Sequence, residues 1–222
     1  MISIGNPNPK NEDLKQQILN KISINNTVEF SDLILAGLNI QYSVLDVGKG
    51  LRELHDQVKL RVYKLETLDI NKFEDYPDIQ MDLCENVEIP QFLKYDRIYI
   101  NSILEHCYNP FIACNNLEKM ISRNGSIYGY VPFLFKHHCP TDLSYQDYFR
   151  FTFESLVSLF PNCKNIEVFP TAGKIGASLG IISSSYKYVF GKKFKSLFLK
   201  INRWGLKSDP RQNSGFNFII NY

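Results

Sequence analysis

The sequence has 222 residues, of which 44% are apolar and 22% charged, as in an ordinary globular domain and unlike a disordered chain. Its five cysteines form no Cys-x-x-Cys pair, which disfavours a disulfide framework or a zinc knuckle. The longest apolar run is far shorter than the roughly 20 residues of a membrane span, and the first residues do not resemble a signal peptide. We therefore expect one domain over residues 1–222, a cytoplasmic location and no transmembrane segment.

Helical and strand patterns alternate along the chain, which predicts an α/β fold with helices on both faces of the sheet. Leu14, Ile18 and Ile22 recur at helical spacing and predict a helix over residues 11–22, within a helical extension formed by residues 1–41. This helix either leans on the sheet or covers the pocket. Strands are predicted at residues 43–47, 63–68, 78–80, 97–101, 126–131, 166–169 and 216–222.

Capping residues predict two further helices. Asn109 and Pro110 supply an N-cap and a first-turn proline for a helix through Ile121, which the Arg-Asn-Gly run at residues 123–125 ends. Thr152 is a suitable N-cap for a helix that extends through Phe160.

The run Val-Leu-Asp-Val-Gly-Lys-Gly at residues 44–50 combines an apolar strand with a glycine-flanked turn. Asp69 closes the next predicted strand 23 positions after Asp46, near the roughly 20-residue spacing of a carboxylate that binds ribose hydroxyls. The third glycine of a dinucleotide-binding loop is missing, since Leu51-Arg52-Glu53 follows the turn. The pattern therefore favours an adenosine ligand without phosphate, such as S-adenosylmethionine, over the dinucleotide of an NAD(P)-dependent reductase.

Later segments strengthen this interpretation. Residues 78–83 look like a third strand followed by an acidic residue, and residues 95–106 like a fourth strand with a Leu-Glu-His exit. Pro132-Phe133, His138, Pro140 and the Asp-Tyr-Phe-Arg-Phe-Thr run at residues 147–152 complete the set. In this order, across roughly residues 42–160, they resemble the class I S-adenosylmethionine-dependent methyltransferases, in particular a type 11-like subgroup with a PF…H…DYxRFT signature. The resemblance implies a Rossmann-like fold: a mostly parallel seven-stranded sheet with an antiparallel final strand.

The same resemblance implies a set of cofactor-binding residues. Asp46, Gly48 and Gly50 would shape the methionine end of the pocket, Asp69 and Ile70 the ribose side, Asp82 and Leu83 the adenine side, and Asn101 the floor near the sulfonium. The two glycines have an alternative as plain turn residues, and the aspartates as turn or cap residues.

The acceptor side is predicted after the fourth and fifth strands. His138 is the first candidate for a general base, His106 the second, and His137 would replace His138 if the register differs by one. The alternatives are histidines that order a loop and a proton that leaves through water. Asp147, Tyr148 and Arg150 are predicted to hold substrate, although Arg150 could instead pair with Asp147. A related methyltransferase group binds a metal through acidic residues and a histidine around this fourth-strand exit. This chain keeps Glu105 and His106 but has Ser102 where another acidic residue would be expected, so we predict no metal.

A basic and aromatic insertion at residues 172–212 is predicted to cap the substrate side. Residues 186–211 alone carry a net charge of +7, which leaves −5 for the rest of the chain. Phe190, Phe194, Leu197 and Ile201 recur at steps of four, three and four, which predicts an amphipathic helix. Its lysines either face solvent or meet an anionic partner, namely a phosphate-bearing substrate or a membrane surface. Nucleic acid is not expected, because the remainder is acidic and has no recognised reading motif.

These patterns predict an S-adenosylmethionine-dependent methyltransferase. The methyl group would go to an oxygen or nitrogen of a small molecule or glycan precursor, with peripheral membrane contact possible and the oligomeric state open. The alternative is a catalytically degenerate methyltransferase-fold protein that acts as a binding or scaffold module, which the charged residues Lys49, Arg52 and Glu53 beside the turn favour.

Overall fold

The computed structural model describes residues 9–139, 145–171, 173, 177–178 and 213–222. The helices within these ranges are α1 (Pro9–Lys21), α2 (Phe30–Ala36), α3 (His55–Lys59), α4 (Pro110–Met120) and α5 (Phe153–Leu159). The strands are β1 (Ile22–Ile24), β2 (Ser43–Val47), β3 (Lys64–Asp69), β4 (Ile79–Gln80), β5 (Tyr95–Asn101), β6 (Ile121–Pro132), β7 (Asn165–Pro170) and β8 (Gly215–Asn221). Short 3₁₀ turns occupy Arg52–Leu54 and Leu104–His106.

The strands of the described residues form one sheet in the order β1-β7-β8-β6-β5-β2-β3-β4. Every neighbouring pair is parallel except the two pairs made by β8, which runs antiparallel to both β6 and β7. The α/β fold with its antiparallel final strand is therefore confirmed. Seven strands correspond to the predicted ones, and β1 is an eighth. Ile22, predicted to be helical, instead begins β1 and pairs with Ile166 of β7.

Two apolar clusters cover the opposite faces of the sheet, as the side-chain alternation of strands requires. On one face, Leu45, Ile98 and Ile127 pack with residues of α4 and α5. On the other face, Val44, Tyr99 and Tyr128 pack with Ile34 of α2 and Val58 of α3. The expected placement of helices on both faces is confirmed. Because β2 pairs in parallel with both β3 and β5, the carboxyl ends of these three strands share one edge of the sheet.

The capping predictions hold at the helix starts. Asn109 accepts a hydrogen bond from Ile112 N at 3.3 Å and Pro110 occupies the first turn of α4, while Thr152 caps α5 by accepting from Ser155 N at 3.3 Å. The predicted end of α4 is wrong. Helix α4 stops at Met120 and β6 begins at Ile121, so residues 123–125 lie within β6.

The N-terminal segment joins the far edge of the sheet. Helix α1 contacts α5, and Ile18 and Ile22 pack against the first cluster, so this helix leans on the sheet instead of covering the site at β2 and β5. Most of the predicted basic insertion, including its amphipathic helix, lies outside the described residues. In the described parts of the chain, no helix has the length and apolarity that crossing a membrane requires.

Candidate active site

The turn after β2 is held by the side chain of Asp46. This carboxylate is buried, and its Oδ1 accepts a hydrogen bond from Leu51 N at 3.0 Å. Its Oδ2 lies 3.4 Å from His55 Nδ1. Burial raises the pKa of Asp46, while the bonds from Leu51 and His55 act in the opposite direction. In the described structure Asp46 therefore fixes the shape of the turn.

Hydrogen bonds join this turn to β3 and to β5. Gly48 N donates to Leu68 O at 2.8 Å, and Asn101 Nδ2 donates to Gly50 O at 3.2 Å. Gly48 has φ +61°, and a Cβ at this position would lie 2.4 Å from Ile103 Cδ1. Only glycine fits such a position without displacing its neighbour. The predicted residues Gly48, Gly50 and Asn101 thus meet at the carboxyl edge of the sheet.

Asp69 ends β3 beside this turn and already has two protein partners. Its Oδ1 accepts from Asn71 N at 2.9 Å, and its Oδ2 accepts from the Tyr76 hydroxyl at 3.1 Å. Lys49 Nζ lies 4.4 Å from the centre of the Tyr76 ring, so the chain after β3 folds back against the turn. Ile70 is exposed. A carboxylate oxygen can accept two hydrogen bonds, so Asp69 retains capacity for further donors.

The predicted adenine side is a loop anchored to helix α4. Asp82 Oδ1 accepts from Cys84 N at 2.8 Å, which makes a tight local turn. Leu83 is buried, and its carbonyl accepts from Asn116 Nδ2 at 3.0 Å. The same amide nitrogen donates to Glu85 O at 2.9 Å. Asn116 therefore fixes the position of this loop relative to the sheet.

Two hollows accompany these elements. One, of about 360 Å³, lies on the α3 side of the turn and is lined by Asp46, Lys49, Arg52, His55, Lys59, Leu65, Thr67, Asp75, Tyr76 and Asp78. It shares Asp46 with the predicted cofactor residues, whereas the other predicted residues are not in its lining. A larger and shallower hollow of about 570 Å³ lies at the opposite edge of the sheet, next to Ile121 and Tyr222. That edge holds none of the predicted site residues.

A compact group of titratable side chains follows β5 and β6. Glu105 and His106 lie on the 3₁₀ turn after β5, and His138 lies in the chain after β6. Glu105 Oε1 is 3.6 Å from His138 Nε2 and 4.0 Å from His106 Nε2. The Glu105 side chain is 0% exposed, and within the described structure neither of its carboxylate oxygens has a hydrogen-bond partner. His137 is exposed, which places His138 in the predicted register.

Hydrogen bonds hold residues 147–150 against this group of titratable side chains. Arg150 forms two hydrogen bonds to the carboxylate of Asp147, one of them at 2.6 Å, and also donates to Lys136 O at 3.0 Å. Asp147 accepts from His138 N at 3.1 Å. The alternative in which Arg150 pairs with Asp147 is therefore what the structure shows. Tyr148 points to solvent, while its backbone N donates to Glu105 O at 2.8 Å.

Electrostatic surroundings differ between the two carboxylates. Burial raises the pKa of Glu105 to about 7, and the negative charge of Asp147 acts in the same direction. The hydrogen bond from Arg150 holds the pKa of Asp147 well below its usual range. Burial also lowers the pKa of His106. Asp147 is thus a fixed negative charge, whereas Glu105 changes its protonation near neutral pH.

The fold of this chain resembles those of several solved proteins. A scan against protein-family models gives no match, and neither does a search of curated proteins. Solved structures do match. A protein from Haloferax volcanii, solved in complex with the Trm112 methyltransferase activator, has a TM-score of 0.52 at 13% identity, covering 96% of this chain and 92% of its own. A SAM-dependent methyltransferase from Archaeoglobus fulgidus has a TM-score of 0.53 at 14% identity, covering 86% of this chain and 90% of its own. The chain has a methyltransferase fold.

At such low identity the likeness establishes the fold alone. A third structure, an S-adenosylmethionine-dependent methyltransferase from Mesorhizobium loti, has a TM-score of 0.53 at 9% identity, covering 86% of this chain and 96% of its own.

The sequence analysis missed three residues that organise the site on this methyltransferase fold. Glu105 was noted in the Leu-Glu-His exit and as a residue shared with a related metal-binding group, but it was not predicted to be a site residue. Tyr76, which binds Asp69, and Asn116, which anchors the loop at residues 82–85, were not identified. Asn116 could have been found from the sequence, because it is a polar residue on the otherwise apolar, buried face of α4. Nothing local marks Tyr76.

Proposed function

We propose that this protein is an S-adenosylmethionine-dependent methyltransferase that moves a methyl group to an oxygen or nitrogen of a small molecule or glycan precursor. One observation carries the proposal: on a methyltransferase fold, Asp69 and the turn at residues 48–50 lie at the carboxyl edge of the sheet, and β5, which binds this turn through Asn101, leads into the 3₁₀ turn that holds Glu105 and His106. A ribose-binding carboxylate and a proton-accepting group are the two elements that methyl transfer from this cofactor requires.

The residues present fit this cofactor. Asp69 has spare acceptor capacity for ribose hydroxyls, and Ile70 beside it exposes apolar surface. The anchored loop at residues 82–83 borders the adenine side. No third glycine or phosphate-binding loop is present in residues 48–53, in agreement with a ligand that lacks pyrophosphate. S-adenosylmethionine supplies an electrophilic methyl group, so the protein's task is to hold the acceptor in line and to take up its proton.

We assign the acceptor to the space bordered by His106, His138 and Tyr148. The acceptor's proton is taken up by His138, by His106 or by a neighbouring water molecule. His138 lies between the carboxylates of Glu105 and Asp147, at 3.6 Å from the first and 3.3 Å from the second. A basic segment at residues 186–211 follows later in the chain, and its +7 charge supports an acceptor that carries phosphate.

Calorimetric titration tests the cofactor assignment. We expect micromolar binding of S-adenosylmethionine and S-adenosylhomocysteine, and no binding of NADH. Asp69→Ala should weaken binding by about 10- to 100-fold, because one hydrogen bond to a charged group contributes roughly 1.5–3 kcal/mol. Asp75→Ala is a matched control, since it removes a carboxylate of the same loop. Absence of binding to both sulfur ligands would contradict the proposal.

A second function is favoured by the contact between Tyr76 and Asp69. If this hydroxyl permanently occupies the carboxylate, the chain is a methyltransferase-fold scaffold without cofactor. Tyr76→Phe separates the two functions. In an enzyme the variant binds S-adenosylmethionine as well as or better than the parent, because one competing donor is gone. In a scaffold neither protein binds it, and a screen for partner proteins becomes the next step.

A further inference from the structure

We propose that Glu105, His106 and His138 form a binding site for a divalent transition metal ion, with Zn²⁺ as the best-matched ion. The ligand atoms of these three side chains all lie within 4.8 Å of one another. The inference goes beyond the proposed function and can be tested without a methyl acceptor or a cofactor.

The spacing of the atoms suits an ion. Glu105 Oε1 is 3.6 Å from His138 Nε2 and 4.0 Å from His106 Nε2. Two ligands that each lie about 2.1 Å from a tetrahedral zinc ion are about 3.4 Å apart. The largest separation within the set is at most 4.8 Å, so side-chain rotations that move the ligand atoms by about an ångström would bring all three into the first coordination sphere. At the present distances, in contrast, neither contact to Glu105 is a hydrogen bond.

The unpartnered carboxylate is the second, independent observation. Glu105 is 0% exposed, and its two oxygens have no hydrogen-bond partner in the part of the chain that the structure describes. Leaving a buried charged group without a partner costs several kcal/mol, so such groups are paired or bind metals. Both neighbouring imidazoles direct Nε2 toward the same carboxylate oxygen. An ion between the three side chains would satisfy all of them.

The outer nitrogen of His106 is already oriented for this role. His106 Nδ1 lies 2.8 Å from the carbonyl of Gln146 and must carry the proton, because a carbonyl only accepts. Metal-binding histidines usually donate their second ring nitrogen to a carbonyl or carboxylate in this way. The Nε2 lone pair of His106 is thereby left for the ion. His138 Nδ1 lies 3.3 Å from the carboxylate of Asp147 but makes no hydrogen bond with the described residues.

The donor set indicates which ion fits. Two imidazoles and one carboxylate suit Zn²⁺ or another late divalent metal, whereas Mg²⁺ prefers oxygen ligands only. Three protein ligands leave a coordination position open. The side chain of His138 is 25% exposed, so that position is reached from solvent. A closed structural site would instead have four protein ligands.

Metal binding changes one part of the proposed mechanism. A ring nitrogen that binds an ion accepts no proton, so in the metal-bound protein the histidines are ligands and the acceptor's proton leaves through water. This was one of the routes left open above. The proposal departs from the sequence-based prediction of no metal, which weighed Glu105, His106 and Ser102 but did not place His138 near Glu105.

The test uses the full chain after removal of metals with a chelator. Zn²⁺ alone is titrated against a competing chromophoric chelator, and zinc content is measured by mass spectrometry after gel filtration. We expect one zinc per chain. Glu105→Gln and His138→Gln should each weaken binding by at least about 100-fold, since changing even an outer-shell residue costs 10- to 100-fold. His137→Gln is the matched control, because it removes the adjacent exposed histidine.

Cobalt substitution identifies the ligands. The Co²⁺ form should show d–d absorption that is absent in His138→Gln and unchanged in His137→Gln. A thiolate-to-cobalt charge-transfer band would place the ion at the cysteines and overturn the proposal. Substoichiometric zinc, tighter binding of Mg²⁺ than of Zn²⁺, or equal loss in the control would overturn it as well. Failure to bind S-adenosylmethionine would refute the proposed function and leave this result unaffected.

Discussion

Arg150 gives the sharpest test of how the acceptor side is built. Its guanidinium binds both oxygens of Asp147 and donates to the carbonyl of Lys136. The Asp147 side chain is 1% exposed, so replacing Arg150 by methionine leaves a buried carboxylate without its cation. Two charge-assisted hydrogen bonds contribute about 1.5–3 kcal/mol each, and breaking a buried pair costs about 3–5 kcal/mol. Because the arginine side chain is itself 25% exposed, we expect the lower end, about 3 kcal/mol.

Urea unfolding measures this loss directly. Arg150→Met should lower the free energy of unfolding by about 3 kcal/mol at pH 7, which is a change of roughly 100-fold or more in the folding equilibrium. The free energy of unfolding of Arg150→Lys should lie between those of the parent and Arg150→Met, because an ammonium group cannot bind both oxygens in the same plane. Lys136→Met removes an exposed cation from the same loop and should change stability by less than about 0.5 kcal/mol. Hydrogen exchange should accelerate at residues 133–139 and 145–151.

The pH dependence of unfolding gives an independent check on the stabilising contribution of the Arg150–Asp147 pair. The pKa of Asp147 lies below the ordinary aspartate value of 3.8 in the folded protein, chiefly because of Arg150. The pair's contribution is therefore present above pH 3.8 and is lost as the pH falls toward the lowered pKa of the folded state. The difference between parent and variant should shrink accordingly in acid. A variant of unchanged stability with a raised KM would refute this reasoning, since it would mean that Arg150 binds substrate instead.

Three further predictions concern other parts of the site. In metal-free protein, burial raises the pKa of Glu105 from the ordinary 4.5 to about 7, so folding takes up a proton between these pH values. Stability should fall by about 3 kcal/mol as the pH rises through this window, and Glu105→Gln should abolish that slope in urea titrations. Asn116→Ala removes donors to the Leu83 and Glu85 carbonyls and should cost about 2–3 kcal/mol while weakening S-adenosylmethionine binding in calorimetry. Gly48→Ala forces a left-handed residue against Ile103 and should cost at least about 1 kcal/mol in thermal unfolding.

Local sequence patterns were sufficient wherever a signal lies within a few residues. The apolar strands, the N-caps at Asn109 and Thr152 and the glycine-flanked turn were each readable because their partners are near in sequence. The Arg-Asn-Gly run shows where this fails. Tyr95 pairs with Ile121 and Arg97 with Ser126, so residues 122–125 form an irregularity within β6. The turn signal was real, but pairing with β5 extended the strand on both sides of it.

Non-local contacts explain the other misses. Strand β1 has three residues and exists through its pairing with β7, more than 140 positions away. Its apolar residues continue the helical spacing of α1, so no local pattern separates the two elements. Glu105 presents the same difficulty. Its burial opposite His138 depends on the chain after β6 docking on the 3₁₀ turn, which the spacing of acidic residues and histidines does not reveal.

The two halves of the candidate site are joined by the end of β5. Asn101 binds the cofactor-side turn through Gly50 O, and its neighbour Ser102 adopts φ 58° and donates from its backbone N to Tyr130 O at 3.1 Å. Glu105, three residues after Ser102, directs its side chain toward the histidines. Its carbonyl oxygen accepts a hydrogen bond from Tyr148 N. A left-handed non-glycine residue persists only where its surroundings fix it, and such residues concentrate at functional sites. The segment at residues 101–106 therefore sets the distance between the proposed methyl donor and the proposed acceptor. A change at Ser102 should accordingly alter turnover more than binding of either ligand alone.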